Sequence, residues 1–437
     1  MVMLPQVLFL LALLTGLGFF VRNMKQLQKS IKSGRPLERN DQPKKRWKMV
    51  FRLALGQSKM VTKPVAGILH IVIYLGFILI NVELLEIILD GLLGTHRLFA
   101  PYLGASYAIL LGSFEFLALG VLVTAILFWI RRNGMRLQRF WKPEMKGWPK
   151  KDADYILYFE IVLMLLFLSM NATDSLLQAQ GHPHYTKAGA FPISQFLTPL
   201  FAQQEVATLV ILERSFWWLH ILGILFFLNY LTYSKHLHIL LAFPNVFYAN
   251  LKPYGQFEVD ASITSEVKMM LNLPVEESQS TDIPDRFGAQ DVTDLNWVQL
   301  MNAYSCTECG RCTAVCPANL SGKKLSPRKI MMDTRDRAEQ IAKPKGNTQA
   351  NEKTLLDGYI SREELWACTS CNACVEACPI AIDPLSIIME MRKYLVMEQT
   401  AAPAELNVMM SNIENNGAPW PYSQQDRLLW SQELINN

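Results

Sequence analysis

No cysteine of this chain lies outside residues 306–378. All eight cysteines sit in two short runs there, so none is left over for a disulfide framework, which belongs to small secreted chains in oxidising compartments. The N-terminus lacks a positively charged start, and no small-residue cleavage site follows Phe20. The apolar stretch Val2 to Val21 therefore reads as a retained helix, about one bilayer crossing long, and not as a cleaved signal peptide. Charge is scarce in several long stretches before residue 244, whereas residues 244–437 have the mixed composition of soluble protein. The 51% hydrophobic content and the net charge of +4 are thus averages over two unlike halves. Length alone allows two or three domains.

The two cysteine runs are Cys306-Thr-Glu-Cys309-Gly-Arg-Cys312-Thr-Ala-Val-Cys316-Pro317 and Cys368-Thr-Ser-Cys371-Asn-Ala-Cys374-Val-Glu-Ala-Cys378-Pro379. Both follow C-x2-C-x2-C-x3-C-P, the spacing of [4Fe–4S] ligation. Three close thiolates wrap one cubane, and the cysteine before proline is directed to the other cluster in two-cluster ferredoxins. The expected sets are Cys306, Cys309, Cys312 and Cys378 on a first cluster, and Cys368, Cys371, Cys374 and Cys316 on a second. Zinc is the competing reading, since C-x2-C pairs supply its ligands, but two full runs each closed by Cys-Pro suit it poorly.

Five apolar runs are long enough to cross a bilayer: Val2 to Val21, then about Pro64 to Leu89, Pro101 to Ile130, Tyr155 to Leu177, and Ala207 to Phe243. Lysine and arginine crowd the connections after the first and third, from Arg22 to Lys63 and from Arg131 to Lys151. The other two connections carry one strong base each, Arg97 and Lys187. The positive-inside rule then puts the N-terminus outside and the cysteine-bearing half in the cytoplasm of a bacterial inner membrane.

Of seven histidines, four lie in or at the ends of these spans: His70, His220, His236 and His238. On a continuous fifth helix, His220 and His238 are five turns apart and share a face, with His236 pointing elsewhere. By the topology, His70 and His238 lie at matching depth near the cytoplasmic face, the arrangement a bis-histidine haem b needs. His236 replaces His238 as second choice. His220 has no evident partner histidine on the second span, so a second haem there lacks a ligand. His182 and His184 read as water-facing. Glu115, Glu160 and the Glu213–Arg214 pair are intramembrane charges, which serve either helix–helix bonding or proton handling beside a quinone.

The soluble half reads as a linker (244–290), a cluster domain (291–400) and a tail (401–437) that lies against a partner. Helical patterns occur at Pro327 to Ala342 and Ser361 to Ala367, and Lys343 to Lys353 reads as a loop.

These residues resemble a known family. Five spans with histidines on the second and fifth look like the gamma subunit of respiratory nitrate reductase. The stretches Gly67-Ile68-Leu69-His70, Trp217-Trp218-Leu219-His220 and Ser234-Lys235-His236-Leu237-His238 are similar to membrane iron–sulfur oxidoreductases, which fuse such a cytochrome to a heterodisulfide-reductase-like module. Asp294-Leu-Asn-Trp297, both cysteine runs, and Gly417-Ala-Pro-Trp420 to Trp430 match the same group. The resemblance implies an all-α chain: a five-helix transmembrane bundle (1–243) followed by an α-helical ferredoxin domain. It implies a membrane-anchored electron-transfer subunit working between a cytoplasmic partner, two [4Fe–4S] clusters, haem b and quinone. Two departures matter. The second span has one histidine where the nitrate reductase subunit has two, which supports one haem better than two. The paired Cys-Cys-Gly domains of fused members do not follow here, so such a domain is expected on a separate subunit, with an electron-transferring flavoprotein as another expected partner. The rival reading is a membrane anchor whose clusters are wires, without haem or quinone chemistry. No DNA-binding or signalling element supports a redox sensor, and no nucleic-acid partner is expected.

Overall fold

The computed structural model describes residues 3–257, 261–275, 286–342 and 353–435. Among these residues there is no β-strand, and the expected all-α architecture is present. Five long apolar helices form the first half: α1 (Leu4–Ile31), α2 (Pro64–Leu93), α3 (Ala105–Trp129), α4 (Trp148–Ala179) and α5 (Val206–Leu231). Proline occupies the first turn of α1, α2 and α4, where its missing N–H costs nothing. Gly94 ends α2 at φ 73°, donating its N–H to the Asp90 carbonyl.

The helices pack as a bundle, α4 against α3 and α5, α2 against α3, and α1 against α5 and α2. Its core joins Phe9, Ile87, Phe114, Val121, Leu163, Phe167, Trp217 and Ile221. Small residues set the close approaches that substitute for a hydrophobic driving force in lipid. A side chain on Gly76 would meet Val121 Cγ2 at 2.5 Å.

Two expected spans are interrupted. The third breaks at Gly104, which leaves a short helix Ala100–Leu103 before α3. The fifth does not run to Phe243. It ends at Leu231, turns through a 3-10 segment Lys235–Leu237 capped by the Ser234 side chain, and restarts as α6 (His238–Phe247). Ser234 supplies the hydroxyl that makes the break stable, accepting from the His236 N–H at 3.1 Å. The single helical face expected to join His220 and His238 therefore does not exist.

At the far end of the bundle from the soluble half, Arg97 is buried. It donates to Asp174 Oδ2 (3.0 Å), Glu83 Oε1 (3.2 Å) and Asn171 Oδ1 (2.7 Å), tying the loop after α2 to α4. His96 joins it, its Nε2 3.1 Å from Asp174 Oδ1. Burial alone would lower the Arg97 pKa, but Tyr107, Asp174, Glu83 and Glu86 around it hold the guanidinium well above its usual range.

The soluble half centres on α7 (Trp297–Ser305), α8 (Pro327–Ala342) and α9 (Pro384–Met397), followed by the exposed helix α10 (Ala404–Asn416). The helix at Pro327–Ala342 has the expected bounds, and the one at Arg362–Trp366 starts from a capping box between Ser361 and Glu364. The stretch read as a linker is described only in part, and the loop read at Lys343 to Lys353 lies almost wholly outside the described residues. At 28 residues, α1 is about 42 Å long against roughly 30 Å of hydrocarbon. Its surplus enters the soluble core: Leu27 and Ile31 pack with Leu295, Tyr304 and Leu395, and Ser30 Oγ hydrogen-bonds Tyr304 Oη at 2.8 Å. Gly34 then passes so close to Trp297 N (2.7 Å from where a Cβ would stand) that no side chain fits, and Arg35 N donates to Leu295 O at 2.8 Å.

Candidate electron-transfer site

Each cysteine run forms a tight loop followed by a short helix, Arg311–Ala314 and Ala373–Ala377, and these two helices pack together. The loops repeat one another in conformation. Glu308 and Ser370, at equivalent places, both have φ 56°, and Gly310 and Asn372 have φ 73° and 60°. Left-handed backbone at these points turns N–H groups inward. Ser370 N reaches Cys368 Sγ at 3.4 Å, and Ile382 N reaches Cys378 Sγ at 3.3 Å.

The thiols sort into two groups. Cys312 lies in the field of Cys306, Cys309 and Cys378 and, least of the four, of Cys374 across the seam, while Cys368 and Cys374 both feel Cys316. Burial pushes the Cys306 thiol up to about 12 and Cys378 up to about 11. Such thiols stay protonated until a metal supplies compensating charge. Among the described residues no three His, Cys, Asp or Glu side chains converge on a single-ion site. Cys371 is exposed, whereas Cys306, Cys316 and Cys374 are buried, so the second loop reaches solvent at Cys371.

Both loops rest on the end of the bundle that carries the basic connections. Arg311 donates to the Lys59 and Met60 carbonyls at 2.8 and 3.1 Å. Arg328, fully buried, donates to Arg139 O and Glu144 Oε1, each at 2.7 Å. Lys59 Nζ donates to Glu376 O at 2.6 Å, and Asn245 Nδ2 to Ile380 O at 2.7 Å. Ile380 and Ala381 also pack on Val50, Leu53, Ala54 and Val246.

The histidines meet at the same end. The rings of His70 and His238 have centroids 6.4 Å apart and an interplanar angle of 46°. The Nδ1 of His238 lies 2.9 Å from Lys235 O, which leaves its Nε2 for a ligand; among the described residues the buried Nδ1 atoms of His70 and His236 have no hydrogen-bond partner. His236 lies closer to this pair than its place in the sequence suggested, with its ring 5.8 Å from that of His238 and 5.5 Å from Phe227. The helix break brings them together, since residues two apart on a continuous helix diverge. His220 stands apart, its Nδ1 3.1 Å from Leu163 O and its ring against Phe167. His182 and His184 both pack on Tyr185 at the far end.

Of the intramembrane acids, Glu115 is committed: it accepts from Asn171 Nδ2 (3.0 Å), Ile193 N (2.8 Å), Ser194 N and the Ser194 hydroxyl. Glu213 is bound by Tyr185 Oη (2.7 Å) and Arg214. Glu160 is half-buried and has no hydrogen-bond or ion-pair partner among the described residues.

Sequence reasoning missed Lys235 and Glu308, which meet at 2.6 Å across the seam between the halves. The available signal was an acid inside the first cysteine run, where the second has serine. It also missed the buried state of Arg97, whose signal was a lone base in a nearly uncharged connection.

This is the frame of an iron–sulfur electron-transfer protein, and residues 305–382 match the model of the 4Fe-4S dicluster domain. The chain is 26% identical over 458 residues to the probable iron-sulfur-binding oxidoreductase FadF of Bacillus subtilis, an alignment covering 98% of this chain and 60% of that protein. It is 27% identical over 430 residues to the EtfAB:quinone oxidoreductase of Syntrophomonas wolfei, covering 91% of this chain and 55% of that one. It is 29% identical over 147 residues to one subunit of the dihydromethanophenazine:CoB–CoM heterodisulfide reductase of Methanosarcina mazei, covering 32% and 35%. The chain thus spans a little over half the length of the first two relatives. No solved structure matches it.

Proposed function

We propose that this chain is the membrane-anchored electron-transfer subunit of a quinone-linked oxidoreductase, exchanging electrons between a cytoplasmic redox partner and the membrane quinone pool. The observation that carries the reading is the pair His70–His238, 6.4 Å apart at the end of the bundle where the cysteine loops dock. A metal held by two imidazoles lies about 3.2 Å from each ring centre, given metal–nitrogen bonds of ~2 Å, so the separation suits one haem iron. The residues fit the group in two further respects: Lys235 O fixes the His238 tautomer, and His70 keeps a buried nitrogen unpaired. Haem b there supplies one-electron storage between clusters and quinone.

The cluster ligands are Cys306, Cys309, Cys312 and Cys378 for the first, and Cys368, Cys371, Cys374 and Cys316 for the second. Exposed Cys371 makes the second cluster the port for the soluble partner, and the first cluster, on the membrane side, faces the haem. Glu160, whose neighbour Phe159 packs on Phe227 beside His236, carries protons for the quinone. The basic connections put this end in the cytoplasm and the N-terminus outside the bacterial inner membrane. The relatives' names motivate an electron-transferring flavoprotein or a Cys-Cys-Gly subunit as partner. The test is the reduced-minus-oxidised spectrum of the purified protein with haem and iron counted per chain. Sharp haem b bands support the reading; iron–sulfur absorbance alone leaves an anchor with clusters as wires.

A further inference from the structure

The two cysteine loops share one backbone shape and differ in several side chains, one of which adds a buried charge to the first loop. Where the second loop has Ser370, the first has Glu308. Glu308 is buried, with its side chain 2% exposed, so protein groups and not water balance its charge. Its Oε2 lies 2.6 Å from Lys235 Nζ and its Oε1 lies 2.8 Å from an Arg335 guanidinium nitrogen. Lys235 is a hub in turn. Its N–H donates to Asp152 Oδ2 (3.0 Å), its ammonium also donates to Pro149 O (2.6 Å), and its carbonyl oxygen receives His238 Nδ1 at 2.9 Å. One residue thus grips the first-cluster loop with its side chain and a candidate haem ligand with its backbone.

We propose that the Lys235–Glu308 pair is a positioning and tuning device, which locks the first cluster to the haem ligand His238 and sets the potential of that cluster apart from the second. The proposal rests on the reading of the histidines and cysteines above. Electrostatics gives it a sign. Reducing a cluster adds negative charge, so a nearby cation raises the potential and a nearby carboxylate lowers it. In a desolvated seam these effects are weakly screened. Buried cross-element ion pairs are poor stabilisers against an apolar alternative, so stability alone is a weak reason for this one.

The test is redox titration of both clusters and the haem in the full-length protein, followed by EPR and visible spectroscopy. Lys235→Gln should lower the first-cluster potential and Glu308→Gln should raise it, each by about tenfold in the one-electron equilibrium constant, or about 59 mV. The second cluster should not move. Lys235→Arg should restore the first-cluster potential, and Glu308→Ser, which copies the second loop, should behave as Glu308→Gln. Because the contact to His238 is a backbone carbonyl, the haem should stay low-spin in Lys235→Gln. Shifts of the same sign in the two charge-removing variants, equal shifts in both clusters, or no shift would overturn the tuning. Loss of haem ligation in Lys235→Gln would show a scaffold instead. If the unsubstituted protein holds no haem, the histidine reading and the haem half of this proposal fall together, while the opposed first-cluster shifts still decide the other half.

Discussion

His70 and His238 come from the second span and from beyond the fifth, yet their rings face one another at 6.4 Å, at the end of the bundle that carries both cysteine loops. His236 stands beside them, 5.8 Å from His238. If the pair holds the haem, His70→Ala abolishes the haem b spectrum while both clusters survive, and electron exchange with quinone stops. His236→Ala should keep the bands. Visible spectra with iron counts check both, and normal quinone exchange in His70→Ala would take the haem off the path.

The cross-ligation of the clusters is separately testable. Two cubanes carry about eight irons. Cys316→Ser should damage the second cluster more than the first, because Cys316 lies with Cys368 and Cys374. Cys378→Ser should do the reverse, because Cys378 lies with Cys309 and Cys312. EPR of each variant distinguishes them, and the opposite assignment of the damaged cluster sinks the pairing.

Much of this was legible in the sequence because the constraints were local. Thiol spacing fixes the cluster loops, and uncharged runs of bilayer length fix the spans, whatever else the chain does. What was not legible depended on breaks and on contacts between distant segments. The Leu231 to His238 interruption rests on one serine cap, and apolar residues on both sides of it hide the break from any hydropathy count. The burial of α1's end beside Tyr304 was likewise invisible, because Leu27 and Ile31 alternate with lysines that suit a solvated helix. Lys235 looked like an interfacial base, and only the fold brings Glu308 to it.

The Arg97 network yields a stability prediction. Its guanidinium is shared among Asp174, Glu83 and Asn171 in a buried site. Arg97→Met leaves buried Glu83 without its cation and Asp174 with only His96, a loss of about 3–5 kcal/mol for a broken buried pair. Thermal unfolding in detergent should show a clearly lowered midpoint, with haem and cluster spectra unchanged in the folded fraction, since the cluster loops dock at the other end. An unchanged midpoint would mean that the acids find other partners.

Topology can be checked without any cofactor. A reporter fused after Asn437 should be active in the cytoplasm, and one inserted near Lys187 should report the outside. Lys59 touches the second cysteine loop at Glu376 O, and the Arg139 carbonyl accepts from Arg328 of α8, so the basic connections and the cysteine-bearing half must share a compartment. The reverse pattern would move both together and overturn the charge argument.

The proposed proton route rests on a contrast between two glutamates. Glu115 has its acceptors filled by Asn171, Ile193 and Ser194, and it pins the loop before α5 to α3 and α4. Glu160 has no such partner among the described residues, and the aromatic contacts Phe159–Phe227–His236 link its turn of α4 to the histidine end. A carboxyl that delivers protons to a reacting quinone contributes roughly 10²–10⁴-fold to rate. Glu160→Gln should therefore slow quinone exchange by about 10²-fold while leaving the haem bands, both cluster potentials and thermal stability unchanged. Glu115→Gln should do the opposite: it weakens a structural clamp and lowers the unfolding midpoint, while the folded protein exchanges electrons at the normal rate. Stopped-flow oxidation of a soluble quinol analogue, read beside a melting curve for each variant, separates the two roles. A Glu160→Gln protein that exchanges electrons at full speed would remove Glu160 from the route.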